Sequence, residues 1–173
     1  LRAIPNMAIV APADAHEMKK LMELTLNHEG PIYIRLAKGY DHIVTDEISS
    51  IEIGKAVPFR EGQDALVVTT GITLKIALDA AEELKKEGID VAVLHLHTLK
   101  PLDENAIRNY AAKVPVVVSI EEHTIIGGLG SATAEILAEA NFSRPKKFKR
   151  IAIPDVFADE YGFRRIRPKN TPN

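Results

Sequence analysis

Along this chain, apolar runs of strand length alternate with longer segments whose apolar residues recur every three or four positions, and Gly, Pro, Asn or Asp marks most of the changes. This alternation restricts the fold to βαβ units, in which each helix crosses over a sheet face and returns the chain to a parallel neighbouring strand. The expected fold is α/β, a three-layer α/β/α sandwich with a mostly parallel sheet, preceded by a smaller βαβ unit.

The smaller unit comes first. Pro5-Asn6 marks a turn, and residues 7–11 form an apolar run of buried-strand length. Asp14 can cap a following helix, with Glu17 three residues on reaching back in a capping box. Met18, Leu21, Met22, Thr25 and Leu26 form that helix's apolar stripe, and Gly30-Pro31 stops it. Ile32, Ile34 and Leu36 then alternate with Tyr33 and Arg35, as in a strand. Arg35 lies near the carboxyl end of that strand, where open α/β sheets bind ligands, and its planar fork of donors matches phosphate or carboxylate oxygens. A surface ion pair is the competing role, and the residues alone favour neither. A unit of roughly 36 residues is too small to bury its own core, so it is expected to dock on the rest of the chain or to move without a partner.

A polar, mildly acidic stretch follows between Gly39 and Glu52 and reads as a linker, with a boundary near Ser49 that divides the chain into 1–48 and 49–173. Beyond it, residues 53–59 and 65–70 read as strands. Gly71 and Thr73 open a helix with the stripe Leu74, Ala77, Leu78, Ala81 and Leu84, and Gly88 ends it. Residues 91–99 read as one strand. Lys100-Pro101-Leu102 is a turn, Asp103 a helix cap, and Ala106, Ile107, Tyr110 and Ala111 a buried helix face. Residues 114–120 are a further strand, Gly127-Gly128-Leu129-Gly130 leads into a helix from about 131 to 140, and residues 150–153 close the sheet.

Composition excludes several classes. A formal net charge of −2 argues against a general polyanion binder, which needs clustered excess Lys and Arg. The basic run at 144–150 is a local exception and reads as a solvated loop entering a strand. With no cysteine, disulfides, thiolate metal sites and Cys nucleophiles are absent. No apolar stretch approaches the roughly 20 residues that span a bilayer, so neither a membrane nor a nucleic acid is an expected partner and a cytoplasmic location is expected.

The remaining motifs are weak as chemistry. Gly128-Leu-Gly130-Ser-Ala-Thr133 approximates a dinucleotide fingerprint, yet Thr replaces the third Gly and Glu121 to Gly127 separate it from its strand, so glycines for a tight turn and close packing are the better reading. Glu121-Glu122-His123 at a strand end could serve acid–base or metal chemistry, but no partner is identifiable and a structural or interface role is favoured. His16-Glu17 begins like a zinc-protease helix, except that Lys20 stands where the second His belongs. His95 and His97, two apart on a strand, share a face and read as hydrogen-bonded structural groups. Ser131 lacks the second Gly of a nucleophile elbow.

The ordered motifs carry a further resemblance. Ala11-Pro-Ala-Asp14-Ala-His-Glu17 and Gly30-Pro-Ile-Tyr-Ile-Arg35 resemble the end of the pyrimidine-binding domain of transketolase-like, thiamine-diphosphate-dependent enzymes. Ile53-Gly-Lys-Ala, Arg60-Glu-Gly-Gln-Asp64, Leu99-Lys-Pro-Leu-Asp103, Glu121-Glu-His-Thr-Ile-Ile-Gly-Gly-Leu-Gly-Ser131 and Ile153-Pro-Asp155 resemble that family's C-terminal domain. The resemblance implies that residues 1–48 are part of a pyrimidine-binding domain with its linker and 49–173 a transketolase C-terminal domain. It also implies transfer of a two-carbon ketol unit between sugar phosphates, with thiamine diphosphate and Mg2+ in the complete enzyme and none on this chain alone. Arg35 is then the contact to the substrate phosphate, and no catalytic, cofactor or metal residue falls on the chain. The implied partners are a missing N-terminal part or subunit, the sugar phosphate and a second copy in a homodimer, and the chain alone is expected to be inactive. 1-Deoxyxylulose-5-phosphate synthase and the β subunit of the first component of 2-oxo-acid dehydrogenases are near relatives and alternatives, as is a non-catalytic assembly or regulatory module. The tail from Asp159 departs from the family's pattern.

Overall fold

A computed structural model of the chain describes residues 1–37, 41–48 and 50–157. The elements in order are β1 (Ala8–Val10), α1 (Ala15–Thr25), β2 (Ile32–Ile34), β3 (Val57–Arg60), β4 (Ala65–Thr69), α2 (Thr73–Lys86), β5 (Val91–His95), β6 (Thr98–Lys100), α3 (Glu104–Lys113), β7 (Val116–Thr124), α4 (Leu129–Glu139) and β8 (Lys147–Ile153). Five strands form one sheet in the order β3-β5-β4-β7-β8, parallel except for β3, which runs antiparallel to β5 at one edge. Three short strands form a second sheet, β2-β1-β6, in which β1 and β2 are parallel and β6 is antiparallel to β1.

The three layers follow from the period of the strands. On β4, Leu66 and Val68 point into a core with Ile107 and Ala111 of α3 and Leu129 and Ile136 of α4. Their neighbours Ala65 and Val67 point the other way, against Leu74, Ala77 and Ala81 of α2. The fold is thus the expected α/β/α sandwich. Gly88, with φ of 82°, takes the left-handed position after α2 where a side chain would be strained. No helix among the described residues is long and apolar enough to cross a membrane.

The first unit docks on this sandwich. Val10, Leu21 and Ile51 form its small core, with Ile32, Ile34, Ile48 and Val57 packed against them, and Ala13 joins the core beneath α2. Arg2 reaches across to α4, donating to the Gly128 carbonyl at 3.1 Å and to Glu135 at 2.8 Å.

Five local expectations are corrected. The single strand expected at 91–99 is two: β5 ends at His95, and the chain crosses through Leu96-His97 to become β6 in the other sheet. Residues 91–98 are all buried, so their apolar pattern carries no mark of the break. α1 ends at Thr25, and Met22 and Leu26 are exposed, leaving Leu21 as the apolar residue the helix buries. The strand expected at 53–59 begins only at Val57, and α4 starts at Leu129, two residues early. β8 begins at Lys147, so Lys147, Lys149 and Arg150 of the basic run lie on an edge strand, where exposed lysines discourage pairing with another sheet. The proposed boundary residue Ser49, the linker residues 38–40 and the tail from 158 lie outside the described residues.

Asp103 ties α3 to the chain that leads into β3: Oδ1 accepts the Ala106 amide and Oδ2 the Ala56 amide, each at 3.0 Å. Asp103→Ala removes both and is expected to cost about 2 kcal/mol, while Asp103→Asn, which keeps one acceptor, costs less. Urea denaturation checks this as a lowered midpoint at unchanged slope.

Candidate functional site

The carboxyl ends of strands from both sheets converge on one cleft. Arg35 directly follows β2, and its amide donates to the Val10 carbonyl at 2.8 Å, extending the parallel ladder by one residue. Ala11 and Pro12 follow β1, Thr70 and Gly71 follow β4, and Glu122 belongs to β7; with Arg35 and Ile72 they line a narrow cleft of about 20 Å³, room for roughly one water molecule. The half-buried Arg35 guanidinium donates to the Glu122 backbone carbonyl. A guanidinium has five N–H donors, so one carbonyl does not exhaust it.

Beside Arg35, α2 begins with Ile72 at its N-cap and no side-chain cap. Thr73 ties that start to both neighbouring strands, its hydroxyl lying 2.7 Å from the Thr70 carbonyl and 3.0 Å from that of Ile120. Gly71 has φ of 58°, the left-handed region that favours glycine, while an added Cβ would meet the Ala11 and Pro12 carbonyls only at an ordinary contact distance of 3.7 Å. A cation and the positive end of a helix at one cleft suit an anion of phosphate shape.

The glycine-rich loop does something else. Glu121, almost fully buried, places Oε2 2.7 Å from the Leu129 amide and Oε1 2.7 Å from the Gly130 amide. A carboxylate of the chain itself thus takes the helix N-terminal amides that a pyrophosphate would use, which is the physical reason the nucleotide reading fails. Gly128 is required because a Cβ there would lie 2.0 Å from Glu121 Oε2. His123 sits 4.0 Å from the same oxygen and within 2.8 Å of the Thr124 carbonyl. Glu121 therefore closes a turn, and Glu122 meets the site through its carbonyl.

A second cluster lies beneath the cleft. Asp14 caps α1 by accepting the His16 and Glu17 amides and also binds Val44 N, Thr45 N and the Thr45 hydroxyl. Burial alone would raise its pKa, and the hydrogen bonds from Thr45, Val44 and Glu17 outweigh it, holding the carboxyl below its ordinary value. Glu17 does not reach the Asp14 amide as a capping box would. It accepts the Ala13 amide at 2.6 Å and meets His95 Nε2 at 3.0 Å, both side chains wholly buried. Against the opposing pull of burial, His95 and His97 keep Glu17 below the usual carboxylate value. Burial pushes His97 down to about 4, the Glu17 charge only partly opposing it. The sequence reading missed this pairing; its one local clue was that Glu17 stands four residues before Leu21, on the buried stripe of α1. His16 pairs instead with Asp46, and no group of three His, Asp or Glu among the described residues could hold a metal.

Glu121→Ala strips the acceptor from two buried amides and is expected to cost about 3 kcal/mol, with Glu121→Gln intermediate; thermal and urea unfolding measure both.

Comparison with known proteins places this geometry in context. A family profile described as the transketolase C-terminal domain matches residues 54–167. An uncharacterised transketolase family protein of Sinorhizobium fredii is 43% identical over 160 residues, which is 91% of this chain and 46% of that protein. A 6-deoxy-6-sulfo-D-fructose transketolase subunit of a Clostridium species is 40% identical over 92% of this chain and 48% of its own length. Among solved structures, a split-gene transketolase described as an inactive β4 tetramer superimposes with a TM-score of 0.81 at 36% identity, covering 90% of this chain and 51% of that one. The chain spans about half the length of these two relatives. With its three-layer sandwich, its Glu121-capped glycine turn and these matches, the chain belongs to the transketolase C-terminal domain family.

Proposed function

We propose that this chain is the C-terminal half of a two-part cytoplasmic transketolase that moves a two-carbon ketol unit between sugar phosphates. Arg35 supplies the contact to the anionic end of the substrate. Residues 1–48 complete a pyrimidine-binding domain begun on the other half, residues 49–173 form the C-terminal domain and a homodimer surface, and the chain alone is inactive. The observation that carries the reading is the position of Arg35 at the cleft where both sheets end, beside the uncapped start of α2. β2 is the outer strand of its sheet among the described residues, with Tyr33 exposed on it, so a strand from the other half can continue that sheet.

Thiamine diphosphate with Mg2+ is what this reading implies for the complete enzyme, where the cofactor acts as the electron sink for the transferred unit. The described residues do not fit it. The cleft holds about 20 Å³, Glu121 fills the glycine-rich helix start, and no three-residue ligand group is present among them. In this reading the other half holds the cofactor, and this chain binds and orients substrate.

The direct test combines the chain with its N-terminal counterpart and assays ketol transfer. A stable complex active on phosphorylated ketoses is expected, and a stable complex inactive on every sugar tested would favour a non-catalytic assembly module. In the active complex Arg35→Ala should raise KM for phosphorylated substrates by about 10- to 100-fold with little change in kcat, the size of a lost charge-assisted hydrogen bond. A relative is named for a sulfonated sugar, and a sulfonate presents the same three oxygens, so the assay includes both anions; an unchanged KM for each removes Arg35 from the site.

A further inference from the structure

The Glu17, His95 and His97 cluster costs stability. All three side chains are fully buried, and Glu17 Oε1, His95 Nδ1 and His97 Nε2 have no hydrogen-bond partner. Such groups are expensive, and an apolar core of the same shape would be at least as stable. The cluster spans the two parts of the chain: Glu17 comes from α1, His95 from β5 and His97 from the crossing to β6. The apolar surfaces that hold the first unit are small, and hydrophobic contact does not by itself select one position. Directional bonds do. The Ala11 amide donates to the His97 carbonyl at 2.8 Å, and the Ala13 amide donates to the Glu17 oxygen that His95 also meets. These bonds flank Pro12, and Ala11 and Pro12 line the Arg35 cleft.

We propose that Glu17 is a positioning residue which, through His95, locks the first unit onto the sandwich in one register, sets the Arg35 cleft, and releases it when His97, and at lower pH Glu17 itself, takes up a proton. The lock is an inference about docking; only its consequence for substrate rests on the Arg35 reading. The groups that face one another are Glu17 from α1 and His95 and His97 from the β5–β6 crossing, while β3 contributes the Phe59 ring, edge-on to His95 at 5.9 Å. Asp14, next along the turn, is directed at Val44 and Thr45. His97 is held near 4 when docked, against an ordinary 6.5, so an undocked, solvated His97 binds protons more readily. Docking is therefore fully stabilised above about pH 6.5 and weakens as pH falls toward 4, and Glu17, also held low, adds in the same direction at lower pH.

Hydrogen exchange on the full chain, corrected for intrinsic rates, tests this. Between pH 8 and pH 5 the opening equilibrium of β1 and β2 should rise about 30-fold through His97 alone, with protection of β4 and β7 unchanged. His97→Leu should flatten that profile, and Glu17→Gln, which keeps an acceptor for Ala13, should open less than Glu17→Ala. Loss of protection in all four strands together, a first unit insensitive to pH, or an acid profile retained by His97→Leu would each overturn the lock. These readouts need no ligand, so a failure of the Arg35 reading leaves them standing and is told apart by the KM assay.

Discussion

The antiparallel pairing of β6 with β1 is the constraint on which the rest of the structure depends. Leu96 still pairs with the large sheet, its amide donating to the Thr69 carbonyl, and one residue later the His97 carbonyl accepts from Ala11 of the small one. Two sheets are thereby fastened within two residues, where interior strand β5 of one runs on into edge strand β6 of the other. A strand–helix–strand unit of this size has too little apolar surface to stand alone. Joined this way it shares Ile48, Ile51, Ile53 and Val57 with the chain that follows and sends Ala13 under α2. The same junction brings the ends of β1, β2, β4 and β7 to one place, so the cleft at Arg35 is a product of docking and belongs to neither part by itself.

Buried and half-buried carboxylates organise much of the remainder. Asp14, Glu17, Asp103 and Glu121 each accept backbone amides, and each does so at a helix start or the turn before it. An ionised acceptor at a helix N-terminus meets both an orphan donor and the positive end of the helix dipole. α2 is the contrast, since its N-cap is Ile72. Among the described residues, the helix start left without a side-chain acceptor is the one beside Arg35, which gives the anion-binding reading its physical basis. Glu121 shows the converse: a glycine-rich turn that resembles a phosphate loop is already filled by the chain's own carboxylate.

Much of this was legible in advance. Asp14 and Asp103 cap the helices that their spacing predicts, Gly88 ends α2, and the ordered motifs resembled the family to which the chain belongs. Arg35 was placed at a strand end from alternation alone, and it stands just past β2. Less was legible wherever burial was uniform. Residues 91–98 gave no sign that one strand would become two in different sheets, because a run buried on every side shows no period. Glu17 read as half of a capping box, since its partner His95 lies 78 positions away.

The division has a simple physical origin. Helix and strand periods, caps and turns are short-range, set by residues a few positions apart, so the order of elements, the α/β class and the family could be read from the chain. Tertiary structure decided which distant groups meet: Glu17 with His95, Glu121 with the start of α4, and Arg35 with a carbonyl 87 residues on. Those meetings depend on the register in which the strands and the two units pack, and no local pattern encodes that choice.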